Sequence, residues 1–247
     1  MSWENVAKWY DKSVGEKGQY YHQHLIIPHL LRLFKTPEKM DVLDLGCGQA
    51  VLSRYLPKEA HYLGIDASET LIKAAKKRAE HQKNAHFLVK DLTRPLDLPQ
   101  KDFTHAIFLL SLQNMKEGDI AIKNSFAHLQ KGGKLFIVLN HPCFRIPRQS
   151  SWVVDPQKKM RFRRLDRYMS PLDVPITAHP GKEKSEETIS FHNPLSTYTQ
   201  WLFDAGFHIE TMEEWCSDKV STGAAAKMEN FSRKEFPLFL TIVATKK

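Results

Sequence analysis

Three observations predict an α/β chain with a mostly parallel sheet and helices on both faces. Short apolar runs alternate with segments at helical spacing from residue 40 to 140. Three of those runs end at an acid: Asp44, Asp66 and Asp91. Between the first run and the segment after it lies a tight turn, Gly46-Cys47-Gly48, where a missing side chain lets the chain turn sharply and lets a ligand lie against the backbone.

Residues 1–39 read as an aromatic-rich helical leader, with Trp3, Trp9, Tyr10, Tyr20 and Tyr21 ahead of a helical pattern over 24–34. Val42 to Leu45 is the first strand, and Val51, Leu52, Tyr55 and Leu56 follow the glycine turn at helical spacing. A second strand spans His61 to Asp66, and a helix over 68–82 starts at Ser68, a good N-cap. Ala85 to Val89 forms the third strand. A helix over 118–130 stops at the turn Lys131-Gly132-Gly133, which opens the fifth strand. A helix over 194–205 ends at Gly206, and apolar segments 207–212 and 238–244 supply the last strands. The whole of 1–247 reads as one domain.

Residues 141–192 break the alternation. They concentrate prolines, carry 10 Lys/Arg against 6 Asp/Glu, and follow the fifth strand, at the sheet end where ligands bind. That composition and place predict a lid over the substrate, with a short hairpin of its own around Met160 to Tyr168.

The glycine turn is not the dinucleotide form, because Val51 stands where G-x-G-x-x-G needs glycine. Asp44 would repel a pyrophosphate but favours a cationic ligand. S-adenosylmethionine has an ammonium, a sulfonium and no phosphate, so it suits the loop. Asp66, 20 residues after Gly46, is placed to accept from both ribose hydroxyls of a nucleoside. Asp91 is placed to accept from an adenine amino group while Leu92 covers the ring.

With these residues in hand, the chain resembles the class I S-adenosylmethionine-dependent methyltransferases. The matching pieces are Asp44-Leu45-Gly46-Cys47-Gly48, Gly64-Ile65-Asp66-Ala67-Ser68, Asp91-Leu92, Phe108-Leu109-Leu110-Ser111-Leu112-Gln113-Asn114 and Leu129-Gln130-Lys131-Gly132-Gly133-Lys134-Leu135. Ala50 departs from the pattern, since many members carry a third glycine there. The resemblance implies a Rossmann-like seven-stranded sheet whose last two strands are antiparallel. It also implies a cofactor site of Tyr21, Asp44, Gly46, Cys47, Gly48, Asp66, Ala67, Asp91, Leu92, Leu109 and Ser111. Tyr10-Asp11, Gly18-Gln19-Tyr20-Tyr21-His22, His141-Pro142 and Phe191-His192-Asn193-Pro194-Leu195-Ser196 look like the bacterial small-molecule branch, which includes relatives of the ubiquinone and menaquinone biosynthesis methyltransferases. In that branch Tyr20 or Tyr21 folds over the cofactor, and His141, Arg145, Trp152 and His192 line the acceptor pocket.

The implied reaction is methyl transfer to a small-molecule acceptor. The catalytic candidates are His141 and His192, which serve as general base where the acceptor is a hydroxyl. His141 is equally a structural residue of a His-Pro turn. Asp66 also reads as the cap of helix 68–82. A net charge of +8 keeps open an RNA methyltransferase using the basic lid, although no RNA-binding module is evident. A non-catalytic cofactor-binding protein is the third reading. Arg161, Arg163, Arg164 and Arg167 read as one solvated face with a few ion pairs. Three scattered cysteines fit neither a disulfide framework nor a zinc site, and no metal is expected. No apolar run is long enough to span a membrane, and Met1 to Asn5 lacks signal-peptide character, so the cytoplasm is the expected location.

Overall fold

The apolar runs become strands β1 (Asp41–Leu45), β2 (His61–Asp66), β3 (Ala85–Val89), β4 (Phe103–Leu109) and β5 (Leu129–Asn140) in the computed structural model, which describes residues 3–34, 40–178 and 185–247. The leader's expected end at 39 and the 179–184 part of the lid lie outside these residues. After β5 come two antiparallel hairpins, β6 (Ser150–Asp155) with β7 (Met160–Leu165), and β8 (Leu172–Thr177) with β9 (Glu187–His192). Strands β10 (Phe207–Trp215) and β11 (Phe239–Lys246) then complete the main sheet, whose order is β10-β11-β5-β4-β1-β2-β3. The five core strands pair in parallel, while β11 runs antiparallel to both β5 and β10.

β1 is buried along its whole length because helices cover both faces of the sheet. Strand periodicity divides its side chains between two cores. Leu43 and Leu45, with Ala106 and Phe108 of β4, face one core. Val42 and Ile107 face the other. Helices α1 (Ala7–Val14) and α2 (Ile27–Phe34) come from the leader, with a π turn at His22–Ile26 leading into α2. α3 (Glu69–Arg78) is capped by Ser68, whose Oγ accepts from the Leu71 N–H at 3.1 Å. Leu30 and Phe34 of α2 and Ile72 and Ala75 of α3 fill the second core. α4 (Gly118–His128) and α5 (Leu195–Ala205) cover the opposite face through Ala121, Ile122, Tyr198 and Leu202.

Several local expectations change. The segment after the glycine turn forms only a 3-10 turn, Leu52–Tyr55. Lys131-Gly132-Gly133 lies inside β5, where the register against β4 slips between the Phe103–Leu129 and His105–Lys134 pairs. A Cβ on Gly133 would sit 3.0 Å from the Phe103 carbonyl, so the glycines absorb a bulge rather than end a helix. The lid hairpin turns earlier than expected, at Pro156 to Lys159, and a second hairpin follows it. Helix α6 (Ala226–Glu235) was not expected from the sequence. It buries only Ser232 and leaves Phe231 63% exposed, so it has little apolar periodicity to read.

Candidate cofactor and acceptor site

The glycine turn is bound to the end of β2 through its backbone. The Gly46 and Cys47 amides both donate to the Ile65 carbonyl, at 2.8 and 3.0 Å. The Gly48 N–H donates to Asp66 Oδ2 at 2.9 Å, and the Ser68 N–H donates to Asp66 Oδ1 at the same distance. Asp66 therefore holds the loop and the start of α3 together in the ligand-free chain. Burial raises its pKa, against the lowering effect of these amides.

Gly46 has φ +77, and a Cβ there would lie 2.5 Å from Ser111 Cβ. Its small size serves packing against the end of β4, not only room for a ligand. Ser111 is fixed by the same contact, its hydroxyl donating to the Leu45 carbonyl at 2.6 Å. Gly48, at φ +55, faces the ring of Tyr10, which a Cβ would approach to 3.4 Å. Tyr10 is brought there by α1. The Arg78 guanidinium grips Asp11 at 2.7 and 3.1 Å, and Glu4 accepts from Ser68 and Thr70, so the leader is anchored to α3.

Asp44 is fully buried. Its Oδ2 accepts from the Tyr62 hydroxyl at 2.6 Å, while its Oδ1 has no hydrogen-bond partner among the described residues. Burial raises its pKa to about 7; the Tyr62 bond opposes this and the Asp66 charge adds to it. An orphaned buried carboxylate oxygen is a costly feature unless a donor or cation arrives. Gln49 Oε1, four residues into the same loop region, is likewise buried without a partner among the described residues. Both fit the ammonium end of S-adenosylmethionine.

Cys47 lies between Gly48 and Gly64, and burial drives its thiol pKa well up, so it packs and does not ionise. Ala67 is exposed beside Asp66. Asp91 Oδ1 accepts from the backbone and hydroxyl of Thr93, at 2.9 and 2.6 Å, closing a tight turn. Leu92 is only 4% exposed and belongs to the core beneath the sheet, while Leu109 packs on the opposite core. Tyr21 has its ring edge-on to Phe239 at 5.7 Å and its hydroxyl 3.0 Å from Ser217. The tyrosine on the glycine loop is Tyr10. The sequence did single out Tyr10-Asp11, but only the packing of α1 on α3 places it there.

The acceptor side is built at the ends of β4 and β5. Leu110 has φ +55, a strained value for a branched residue, and it turns the chain from β4 into Ser111. A shallow open cleft is lined by Gln113, Asn140, Arg145, Ser190, His192 and Tyr198, among others. Ser190 of β9 donates to the Gln113 carbonyl at 3.3 Å, so the second lid hairpin roofs this cleft. His192 donates from Nε2 to the Tyr168 carbonyl at 2.7 Å, which leaves its Nδ1 lone pair without a partner among the described residues. Burial lowers its pKa, so it stays a neutral acceptor near neutral pH.

His141 is employed differently. Its Nδ1 accepts from the Cys143 N–H at 3.2 Å and its Nε2 lies 2.6 Å from Glu214. Both nitrogens are occupied, and it ties the first residues of the lid to β10. The arginines of β7 do not form one face. Arg161 and Arg163 stack over Trp152, at 4.0 and 5.2 Å from the ring centre, whereas Arg164 pairs with Asp166 at 2.6 Å. Strand alternation sends neighbours to opposite sides, which a count of charges does not reveal.

Residues 42–133 match the family model described as a methyltransferase domain. The ubiquinone biosynthesis O-methyltransferase of Coxiella burnetii is 33% identical over 141 residues, which cover 54% of this chain and 60% of that protein. The phosphoethanolamine N-methyltransferase of Triticum aestivum is 29% identical over 133 residues, 52% of this chain and 26% of that one. The chain thus spans about 60% of the length of the first of these relatives. A solved S-adenosylmethionine-dependent methyltransferase from Mesorhizobium loti superimposes with a TM-score of 0.68 at 24% identity, covering 94% of this chain and all of that one; at that identity the likeness is one of fold. With its strand order, its acid-flanked glycine loop and these matches, the chain has the fold of the class I S-adenosylmethionine-dependent methyltransferases, and its residues 42–133 are similar to a methyltransferase domain.

Proposed function

We propose that the chain transfers the methyl group of S-adenosylmethionine to a small-molecule acceptor held under the lid of residues 141–192. The observation that carries this reading is the placement of two sites against one another. Gly46 of the glycine loop packs on Ser111 at the end of β4, two residues before Gln113 of the cleft, and Ser190 and His192 of β9 border that cleft.

S-adenosylmethionine, when bound, supplies an electrophilic methyl carbon. Asp44 would receive its ammonium, the Gly46 to Gly48 backbone would hold its methionine part, and Asp66 and Asp91 would serve as acceptors for ribose and adenine. Tyr10 covers the loop and excludes water. Gln113, Asn140 and the lid orient the acceptor, and such positioning is worth up to ~7–11 kcal/mol in well-oriented systems. Where the acceptor is a hydroxyl, His192, which lines the cleft and keeps Nδ1 without a partner among the described residues, would take its proton. His141 acts by holding the lid to β10.

Titration calorimetry with S-adenosylmethionine, S-adenosylhomocysteine and NAD tests the cofactor half of this reading. The first two bind without added metal and NAD does not; preferential binding of NAD would sink the proposal.

A further inference from the structure

A second cleft adjoins the first and shares Arg145 with it. It has a volume of about 280 Å³ and is lined by Phe144, Trp152 and Phe236 together with Arg145 and Arg163. The rings are set edge to face, Phe144 to Phe236 at 5.6 Å and Trp152 to Phe236 at 5.3 Å. The three rings meet at Phe236 and form an aromatic wall to the cleft, against which a flat ring can pack.

The two guanidinium groups have unusual company. Arg145 donates from Nη1 to Asn140 Oδ1 at 2.7 Å and stacks 5.4 Å over Phe239. Arg163 donates from Nε to the Phe144 carbonyl at 2.6 Å and from Nη2 to Ser150 Oγ at 2.7 Å. Neither is within ion-pair distance of a carboxylate among the described residues, whereas Arg164 on the opposite face of β7 has Asp166. Both are half-buried. Burial lowers the Arg145 pKa, Tyr21 raises it, and the Arg163 charge lowers it again, so the two cations feel each other. Like charges gathered in a partly dry place are relieved by an anion, and guanidinium forks match planar oxyanions in two-point contacts.

We infer that this cleft selects an aromatic acid, its ring packed against the wall of Phe144, Trp152 and Phe236 and its anionic group received by Arg145 and Arg163. Taken with the methyl-transfer reading, on which this consequence rests, the acceptor is an aromatic anion. Arg145 is then the specificity-determining residue, because it borders both this cleft and the one that contains His192.

Calorimetric titration with cinnamate, phenyl phosphate and cinnamamide, with and without S-adenosylhomocysteine, tests the inference. The anions bind about tenfold or more tightly than the amide, which corresponds to one charge-assisted hydrogen bond. The tighter of the two anions names the acid group. Arg145→Met and Arg163→Met each abolish that preference, Arg145→Lys keeps part of it, and Arg164→Met keeps it whole. Melting temperature and S-adenosylhomocysteine binding report that each variant is folded. Equal binding of cinnamate and cinnamamide, failure of both anions to bind, or a preference that survives both methionine variants overturns the inference. Failure of S-adenosylhomocysteine to bind the wild type strikes instead at the methyl-transfer reading, and the comparison of acid with amide still decides the cleft.

Discussion

The cofactor side and the acceptor side of this sheet are built by opposite means. Around the ends of β1 and β2 the chain offers backbone amides, glycines and two carboxylates, Asp44 tied to Tyr62 of the neighbouring strand and Asp66 tied to the glycine loop and the start of α3. Around the ends of β4 and β5 it offers lid side chains, open clefts and guanidinium groups that no carboxylate of the described residues pairs. A ligand common to a whole fold is met by main chain and a few acids. A ligand particular to one protein is met by an insertion whose side chains are free to differ.

If the cofactor side is rigid because its parts pack on one another, damage there costs stability first. Gly46→Val places a branched side chain into Ser111 at a positive φ. The left-handed conformation costs ~1–2 kcal/mol and overpacking ~1–3 kcal/mol, so denaturant unfolding should show a loss of about 3 kcal/mol or more. A variant as stable as wild type that merely binds cofactor poorly would mean the contact with Ser111 is loose.

Asp66→Ala removes the acceptor of two backbone amides and, on the proposed reading, that of the cofactor's ribose. Affinity for S-adenosylhomocysteine should fall by about 2–3 kcal/mol, with a smaller loss of stability of ~1 kcal/mol from the α3 cap and loop. A loss of stability with affinity unchanged would leave Asp66 as a cap and a loop tie alone.

Asp44 should make cofactor binding pH-dependent. Its ligand-free pKa, about 7, lies above the ordinary carboxylate value, while an incoming ammonium favours the ionised form. Affinity should therefore rise as pH passes upward through 7 and fall below it by up to about tenfold per unit. The sign for the empty protein is opposite. The stability this group contributes is fully present below its unfolded pKa of 3.8 and is lost as pH rises through about 7. Calorimetry and thermal melts between pH 5.5 and 8.5 read both trends, and Asp44→Asn should flatten both (the pH range is roughly one that brackets the shift). A pH-independent wild type would remove Asp44 from the ammonium's surroundings.

The smallest effect is expected at Ala50, buried and left-handed at φ +59. Ala50→Gly relieves about 1 kcal/mol of backbone strain but gives up a buried methyl worth ~0.8 kcal/mol. The two nearly cancel, and a melting curve close to wild type is the expected result. A large change in either direction would show that the loop is held by more than these two terms.

How much was readable follows the same division. Asp44, Gly46, Gly48, Asp66 and the succession of the core strands along the chain could be read because each rests on short-range rules: turn chemistry, strand period and spacing along one βα unit. The bulge at Gly132-Gly133 escaped because a glycine pair after a helix looks like a stop signal, and only the register with β4 shows that β5 has already begun. Tyr10 was named without its place, since the Arg78–Asp11 pair that sets α1 over the loop joins residues 67 apart. His141 and His192 looked alike as candidates, yet one has both nitrogens bound and the other keeps a lone pair.

By itself, then, the sequence determined the parallel core, its switch from strand to glycine turn, and the acids at the strand tips, because local backbone geometry and hydrophobic period dictate them. Tertiary structure decided which tyrosine covers the loop, which histidine faces a cleft, and that Arg145 and Arg163 converge on one aromatic-walled cleft. Those outcomes depend on the strand alternation of a lid hairpin and on contacts between segments far apart in the chain, and no local pattern encodes where such segments meet.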